Sequence, residues 1–534
     1  MIPTRPASWL ALSFAAATCV ATFSQCGPAD GPRPSSEGAG APARAASRPA
    51  APDPGARSPN LQEPKNQEPK NQVPKPDARP VEAPPADAVR LLISGAMLGR
   101  LEPCGCASGQ LGGLARRMQH VGEQRTYDLL LEGGDLVGGD TELDVMKLMA
   151  AATVLFRMER PYDVLGVGLR DLALPRDEWS AFLAGVPVVA TNLSSAAPDW
   201  PGLPFVDKDV RGLRVRTASL LLPELPEAAT AGGALERTDP VAAWRDAFAG
   251  VEPEVLRIAM LYGPEQDVRA TLPRLEPRPD LAIAVDGGYV EPTAAPTIVA
   301  DVPLVFTGIR GRVLLDARLW RSGDRSRVAC ELVPLAGSRT VPGGGGDPQV
   351  HDVLLEHRRN VKEFGVLASM AERTPTPSGA AYVGTETCRS CHPSSYDAWA
   401  KTKHAGAWQT LVDAENDPKR YGWPVTAYPD CVGCHVVGYG HETGFVGPDT
   451  TPHLRDVGCE RCHGPGSEHV AAAGTAPLGI LGGALPSVMC TECHDFEQSP
   501  DFVYGDRWAA IAHGLEPHQQ AVRDARKQGA KDGK

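Results

Sequence analysis

Short apolar runs alternate with amphipathic segments between about residues 89 and 320. Apolar runs bounded by turn residues are typical of strands buried in a sheet. Six segments have this pattern: VRLLISGAML, YDLLLEGG, YDVLGVG, VPVVATNL, LRIAMLYG and DLAIAVDGG. Three others, LDVMKLMAAATVLFRME, PRDEWSAFLAG and DPVAAWRDAFAG, have the apolar spacing of helices, and two of these begin at Pro or Asp-Pro. The alternation predicts an α/β layered domain, which we place at residues 88–344.

The pattern changes twice further along the chain. Residues 345–379 predict one amphipathic connecting helix, on which His351 and His357 are exposed unless a neighbouring domain recruits one of them. Residues 380–515 contain little continuous helix or strand pattern. They predict a small, loop-rich, mainly helical domain that needs something other than aliphatic side chains for its core.

Both ends of the chain differ from these regions. Residues 1–26 contain an apolar run after an early arginine, which is the pattern of an export signal and is short for a membrane span. Cys26 is a candidate for the lipidated first residue of a lipoprotein, with simple cleavage or an uncleaved anchor as alternatives. Residues 27–87 are rich in Pro and Ala and predict a disordered tether or a plain spacer. Residues 516–534 predict a polar, frayed tail.

Length and charge narrow the possible functions. A chain of 534 residues exceeds one hydrophobic core, so two or more domains are expected. The 53 basic and 65 acidic residues give a formal net charge of −12, which argues against a nucleic-acid partner. After the N-terminal signal, no segment has the uninterrupted apolar length that would predict a membrane-spanning helix.

Four Cys-x-x-Cys-His motifs lie between residues 388 and 494. Two thiols at this spacing can bond to the two vinyl groups of one haem, while the next imidazole reaches its iron as the proximal ligand. A zinc site would not need a histidine after every second cysteine, and a redox dithiol would need none. We therefore expect four covalently attached c-type haems. The haem-binding cysteines are Cys388, Cys391, Cys431, Cys434, Cys459, Cys462, Cys490 and Cys493, and the proximal ligands are His392, His435, His463 and His494. Cys330, in a strand pattern, is expected to be a buried core residue.

Each iron has a sixth position, and the region after residue 380 contains six histidines outside the motifs. The distal ligands that we expect are His404, His453, His469 and His513. His441, in a Gly-rich loop, and His518, near the charged tail, better suit solvated surface positions. Two histidines on every iron would favour low-potential electron transfer, whereas an open iron could bind a substrate.

Residues 382–514 resemble the tetrahaem cytochromes related to hydroxylamine oxidoreductase and its electron-accepting cytochrome. The resemblance lies in YVGTETCRSCHPSSYDAWAKTKHAGAW, DVGCERCHGPGSEH and WAAIAHG. It implies haems stacked in close pairs, mostly with two axial histidines, and one five-coordinate iron in some members. It also implies that the four distal candidates are ligands, without indicating which histidine serves which haem.

Several stretches of the α/β region resemble the metallophosphoesterase domain of the 5′-nucleotidase and UDP-sugar hydrolase family. They are GRLEPCGCASGQLGGLARR, EGGDLVGG, VPVVATNLSS and LPFVDKDVRGLRVRTASLLLPE. That family holds two metal ions with Asp, His and Asn side chains on loops after the strands. The positions where this chain lacks the family's ligands are Ala96 and Leu98 in the first motif, Leu169 and Arg170 in the third, Tyr262 in the fourth, and DGGY at 286–289 in the last.

The family's Gly-Asp motif survives as Gly134-Asp135. One carboxylate cannot hold two cations, so we expect no dinuclear metal, no hydrolase activity, and a capping or turn role for Asp135. At the rim of the former cleft, Cys104 and Cys106 are one residue apart, a spacing that permits a strained and therefore labile disulfide. The EPCGC stretch resembles that of phosphoesterase-like proteins that include variants with redox motifs. This resemblance favours a redox-active pair of Cys104 and Cys106. A structural disulfide or two buried thiols are the alternatives.

These observations leave three functions open. The first is an exported tetrahaem c-type cytochrome that transfers electrons to and from redox partner proteins, with the α/β domain as a docking module. The second is a haem-dependent oxidoreductase, in which either one open iron takes a small redox substrate or Cys104 and Cys106 exchange electrons with the haems. The third is a metal-dependent phosphoesterase. Covalent haem attachment and the signal predict a periplasmic location, or a membrane anchor facing the periplasm or cell exterior.

Overall fold

The computed structural model describes residues 83–514 with internal gaps. The gaps are 104–110, 125, 231–234, 289, 338–344, 372–373, 418–422, 477, 479–486, 496–497 and 500. The predicted export signal, the lipidation candidate Cys26, nearly all of the tether, the Cys104 and Cys106 pair, His518 and the tail therefore lie outside the described residues.

The strands belong to the region before residue 335. They are β1 (Val89–Ser94), β2 (Leu129–Glu132), β3 (Val164–Leu165), β4 (Leu193–Ser194), β5 (Val206–Val210), β6 (Leu213–Leu221), β7 (Glu236–Arg237), β8 (Leu256–Tyr262), β9 (Leu281–Val285), β10 (Thr297–Val299), β11 (Val302–Phe306), β12 (Val313–Ser322) and β13 (Arg325–Pro334).

Helices flank the strands and continue through the C-terminal region. They are α1 (Leu114–Glu123), α2 (Glu142–Phe156), α3 (Arg176–Phe182), α4 (Glu227–Thr230), α5 (Pro240–Ala247), α6 (Glu265–Thr271), α7 (Pro348–Glu363), α8 (Val366–Ser369), α9 (Thr385–Arg389), α10 (Pro393–Trp399), α11 (Ala407–Asn416), α12 (Pro429–Val432), α13 (Cys459–His463), α14 (Ser467–Ala471), α15 (Ser487–Thr491) and α16 (Tyr504–Ile511). None of the helices in the described ranges is long and apolar enough to cross a membrane.

Two mixed sheets form the α/β domain. The five-stranded sheet has the order β13-β12-β1-β2-β3, and the six-stranded sheet has the order β10-β11-β9-β8-β6-β5. β1, β2 and β3 run parallel, as do β6, β8, β9 and β11, while the outer strands pair antiparallel. The predicted α/β layered class is confirmed.

The alternation of side chains along β8 shows why the sheets are buried on both faces. Ile258 and Met260 belong to the main core, which also contains the inward-facing residues of β1 and β2. Ala259 and Leu261 point the other way, into a second core with Trp244 of α5. Because successive residues of a strand face opposite sides, a strand covered on both faces is apolar throughout. This accounts for the continuous apolar run in the sequence.

The predicted elements agree with the structure except in two places. VPVVATNL forms only isolated bridges at Val188 and Val189 before the short β4, and not a continuous strand. The connecting segment is two helices, since α7 ends before Gly365 and α8 begins after it. Gly365 has a φ of 68°, a left-handed conformation that ends a helix and that glycine adopts without strain.

Helix α7 packs on both sides, and this corrects one prediction. Val350 and Leu354 join the core of the α/β domain. His357, predicted to be exposed, is only 3% exposed, and its Nε2 lies 3.1 Å from the hydroxyl of Tyr428 in the C-terminal region. The alternative, in which a docked domain recruits one of the α7 histidines, is the one that the structure shows.

The C-terminal region is built from short helices and loops, as predicted. Its own apolar core is small and includes Trp408, Val432, Val436 and Phe445. Helices α10, α14, α15 and α16 contain no buried residue. Aliphatic packing therefore holds only part of this region together.

Candidate haem-binding sites and the cleft of the α/β domain

Each Cys-x-x-Cys-His motif forms about one turn of helix. In the first motif the amide of His392 donates to the carbonyl of Cys388 at 2.9 Å, and in the fourth the amide of His494 donates to the carbonyl of Cys490 at 2.8 Å. The third motif is helix α13 itself. Residues i, i+3 and i+4 of a helix share one face, so each turn presents two thiols and an imidazole on the same side.

Three of the motif histidines face a histidine from elsewhere in the chain. The ring centroids of His392 and His469 are 6.1 Å apart, with 22° between the ring planes. The rings of His494 and His404 are also 6.1 Å apart. The rings of His463 and His513 are 5.7 Å apart.

This spacing fits one metal ion between each pair of rings. A metal–imidazole bond is about 2 Å long, and a ring nitrogen lies about 1.1 Å from the ring centre, so two axial imidazoles place their centroids roughly 6 Å apart. If the two rings of each pair simply packed against each other, nothing would require a centroid distance near 6 Å in all three pairs. The arrangement of His392 with His469, in particular, fits the two axial positions of one haem iron.

Hydrogen bonds at Nδ1 orient several of these rings. Nδ1 of His469 lies 2.6 Å from the carbonyl oxygen of Ala476, and Nδ1 of His494 lies 2.8 Å from the hydroxyl of Ser499. An Nδ1–H that donates to such an acceptor leaves Nε2 with the lone pair that binds a metal. At His469, where the partner is a carbonyl oxygen that can only accept, the chain therefore fixes the tautomer that iron ligation needs.

Burial favours the neutral form of the paired histidines. It lowers the pKa of His404, with an added contribution from nearby His494. It also lowers the pKa of His463, where His513 and His392 add to the effect, and of His494, where Arg507 does. A neutral imidazole does not have to lose a proton before it binds iron.

The second motif differs from the other three. Nδ1 of His435 lies 2.5 Å from the carbonyl oxygen of Ala407, so its Nε2 is also available for a metal. Among the described residues, no histidine ring lies opposite His435. The remaining predicted distal ligand, His453, is exposed and packs beside Gly384. The structure therefore does not bring His453 and His435 together.

Contacts between cysteines set the neighbours of each motif. The side chains of Cys388 and Cys459 are neighbours, which brings the first motif next to the third. The side chains of Cys434 and Cys493 are also neighbours and bring the second motif next to the fourth. Arg461 donates to the sulfur of Cys493 over 3.6 Å and connects the third motif with the fourth. The motifs thus follow the spatial order first, third, fourth, second.

Apolar side chains near the fourth motif lie on the surface of the polypeptide. Val488 on α15 is 64% exposed, and Val503, just before α16, is 52% exposed. A porphyrin face is large and apolar, so side chains of this kind fit its edge and faces. The motif cysteines, all of them among the described residues, form no disulfide. Together with the exposed valines and the opposed histidines, this fits covalently bound haem.

The cleft of the α/β domain lies at the carboxyl ends of its parallel strands, where Asp135 follows β2. Both carboxylate oxygens of this fully buried residue are occupied. Oδ2 accepts from Nη1 of Arg170 at 2.8 Å and from the hydroxyl of Tyr262 at 2.7 Å, and Oδ1 accepts from the amide of Arg170 at 3.0 Å. A guanidinium therefore supplies the positive charge beside Asp135.

A second carboxylate, which the sequence analysis did not single out, holds the loop of Asp135 in place. Asp171 accepts from the amides of Asp135, Leu136 and Gly168 at 2.7 to 3.0 Å. Burial, followed by the charge of Asp135, raises the pKa of Asp171 to about 7. Its position directly after Arg170 in GLRD was the available signal. Its oxygens are taken up by backbone amides, so it orders the loop.

Gly287 lies directly against the ion pair of Asp135 and Arg170. A Cβ atom at this position would lie 2.2 Å from Nη1 of Arg170 and 2.6 Å from Oδ2 of Asp135. Across the described ranges, no group of three or more His, Cys, Asp or Glu side chains is placed to hold a metal ion.

Comparison with known proteins gives a match in the C-terminal region. Residues 387–464 match the family model described as Cytochrome c554 and c-prime, a range that includes the first three motifs. The chain is 41% identical over 93 residues to Cytochrome c-554 of Nitrosomonas europaea, a match that covers 16% of this chain and 40% of the relative. The predicted resemblance to multihaem cytochromes is confirmed for this segment, and the match implies covalently bound c-type haem there.

The α/β domain is similar to solved phosphoesterase-type structures. Sulfate thiohydrolase SoxB from Thermus thermophilus, in complex with glycerol, aligns with a TM-score of 0.44 and 14% identity over 59% of this chain and 69% of its own. A 5′-nucleotidase precursor from the same organism aligns with a TM-score of 0.42 and 17% identity over 54% of this chain and 61% of its own. Activity does not follow from likenesses at this level.

Proposed function

We propose that this chain is a tetrahaem c-type cytochrome that transfers electrons outside the cytoplasm, and that its α/β domain is a scaffold without a dinuclear metal site. The three opposed histidine pairs, 5.7 to 6.1 Å apart, carry the proposal. Two axial histidines leave an iron no position for a substrate and suit it to electron transfer.

The chain has three tasks in this function. Cysteines of the four motifs would attach the haems, and the motif histidines would bind their irons. His404, His469 and His513 would supply a second histidine to three of these irons, and the hydrogen bond to Ala476 orients the ring of His469. When bound, each haem supplies a one-electron redox centre. The contacts between neighbouring motifs bring successive centres close enough to exchange electrons.

The loss of hydrolysis is supported by the contacts of Asp135. A metal-binding carboxylate needs free oxygen atoms, whereas both oxygens of Asp135 accept hydrogen bonds from Arg170 and Tyr262. A cation entering this site would have to displace a guanidinium. We therefore propose a docking role for the domain, with redox partner proteins as the partners of the haem region.

An absorption spectrum of protein matured in a haem-attaching periplasm tests the proposal. Haem is counted per chain, and spectra are recorded oxidised, reduced, and reduced under carbon monoxide. Four haems per chain are expected, together with low-spin bands for the three irons that have paired histidines. Fewer than four haems, or high-spin signals from several irons, would contradict the proposal.

The same experiment decides a second candidate, favoured by the environment of His435. No histidine ring lies opposite it among the described residues, so its iron is a candidate for an open site that takes a small redox substrate. A carbon monoxide band from one haem in four would support this oxidoreductase function.

Conversion of Cys104 and Cys106 to Ser tests the thiol alternative by its effect on haem reoxidation. Release of phosphate from nucleotides with Mn²⁺ or Zn²⁺ tests hydrolysis, and none is expected.

A further inference from the structure

The α/β domain contacts the second haem motif through a buried charge cluster. The residue Glu102 lies in the loop after β1 and pairs with Arg358 of α7, whose Nε donates to its Oε2 at 2.6 Å. The side chains of Glu102 and Arg358 are 11% and 9% exposed. A second pair, Lys147 with Asp430 at 2.7 Å, lies next to the same motif.

Arg358 is directed toward the motif and not toward solvent. Its guanidinium carbon is 4.3 Å from the ring centre of Tyr428 and 4.8 Å from that of Trp423. Its buried Nη1 has no hydrogen-bond acceptor among the described residues. The positive charge is therefore balanced mainly by Glu102 and stacked on two aromatic faces of the C-terminal region.

Tyr428 links this charge to the haem attachment. Its carbonyl oxygen accepts from the amide of Cys431 at 3.0 Å, and the two residues pack in one apolar cluster. Because Cys431 would bond to a vinyl group, Arg358 would lie near a haem attached at the second motif.

We propose that Arg358 and Glu102 set the reduction potential of the haem attached at Cys431 and Cys434, so that the α/β domain tunes one of the four haems. Reduction adds an electron to the haem, and a nearby positive charge favours the reduced form. Arg358 acts on this haem through its positive charge, and the negative charge of Glu102, which pairs with Arg358, weakens that effect. The inference rests on the proposed function, because it requires haem at the second motif.

Redox titration of the haem-loaded chain, followed by absorbance, tests the pair. Glu102→Gln leaves the charge of Arg358 unbalanced, so the midpoint potential of one haem is expected to rise. The rise should correspond to an increase of at least about threefold in the equilibrium constant for reduction. Arg358→Gln removes the charge nearer the motif, so the same midpoint is expected to fall. A tenfold change corresponds to about 59 mV for a one-electron couple. Arg358→Lys keeps the charge and is expected to leave the midpoint nearly unchanged.

Two controls separate electrostatics from structure. Asp316→Asn breaks the ion pair between Asp316 of β12 and Arg90 of β1 in the five-stranded sheet. The two side chains are 10% and 12% exposed, and the variant is expected to move no midpoint. In a chain with Cys431→Ser and Cys434→Ser, which lacks the affected haem, Glu102→Gln is expected to shift nothing.

The outcomes distinguish this inference from the proposed function. An unsubstituted chain without four haems would overturn the function itself. Four haems with no shift in either variant, or shifts of the same sign in Glu102→Gln and Arg358→Gln, would overturn the charge-tuning role. A persisting shift in the chain that lacks the second-motif haem would assign the effect to another haem and would also overturn it.

Discussion

At the scale of single residues, ligation is decided by which histidines face each other. His469 lies opposite His392, and its hydrogen bond to Ala476 holds it there. His453 was also predicted as a distal ligand, but it is exposed and faces no motif histidine among the described residues. Two histidines with the same sequence-based prediction therefore have different expected effects when they are changed.

Replacing His469 by Ala is expected to open the iron bound by His392. That haem should become high-spin, and one haem more than in the unsubstituted protein should then bind carbon monoxide, because the sixth position has lost its ligand. Oxidised absorption spectra and carbon monoxide difference spectra measure the effect.

Replacing His453 by Ala provides the matched control. The variant is expected to keep the spectra of the unsubstituted protein. A His469→Ala protein that stays fully low-spin, or a His453→Ala protein that gains a carbon monoxide band, would contradict the pairing described above.

At the scale of secondary-structure elements, helix α7 joins the two folded regions through a histidine that must be neutral. Burial, with smaller contributions from Arg358 and Lys147, lowers the pKa of His357 to about 3. The unfolded chain has a histidine pKa of about 6.5. The free energy of unfolding therefore has its full value above about pH 6.5, where His357 is neutral in both states, and it decreases as the pH falls from there toward 3.

Lowering the pH from 7.5 to 5 is expected to reduce the free energy of unfolding by about 2 kcal/mol through this residue. His357→Gln removes the titrating group and should lose that component, although it is less stable at pH 7.5. Urea unfolding of both proteins at the two pH values measures the difference. An equal response to pH in both proteins would show that His357 titrates freely.

The same helix shows what the sequence could and could not predict. The apolar spacing of α7 was visible, and so were the strands β8 and β9, because their patterns depend on local periodicity. The exposure of His357 was predicted wrongly, because it depends on Tyr428, 71 residues away. The haem motifs were predictable for the opposite reason, since two thiols and an imidazole lie within five residues. The partner of each motif histidine depends on the tertiary fold.

At the scale of the whole molecule, the α/β domain covers one end of the haem region. Glu102 and Lys147 contact the second motif through Arg358 and Asp430, and Arg310 lies 3.7 Å from Asp495, next to the fourth motif. The first motif lies at the opposite end of the order of contacts, and its Cys391 is exposed. Under the proposed function, the first motif is therefore the one at which we expect electron exchange with partner proteins.

The C-terminal region also has two kinds of support, which predicts how it responds to the loss of one haem. Helix α11 buries Trp408 and Leu411 in a protein core, whereas α15 and α16 contain no buried residue. Short helices without packing are unstable in water. The order of α16 is therefore expected to depend on the haem of the third motif, because His513, which follows this helix, faces His463.

A chain with Cys459→Ser and Cys462→Ser should attach three haems and lose hydrogen-exchange protection in α16, while α5, with Trp244 in its core, stays protected. The comparison is a chain with Cys431→Ser and Cys434→Ser, in which α11 should keep much of its protection because Trp408 and Leu411 pack against protein. Hydrogen exchange read by mass spectrometry resolves both helices. If α16 stayed protected without its haem, packing within the polypeptide would be sufficient to order it, and the haem would serve only as a redox centre at that end.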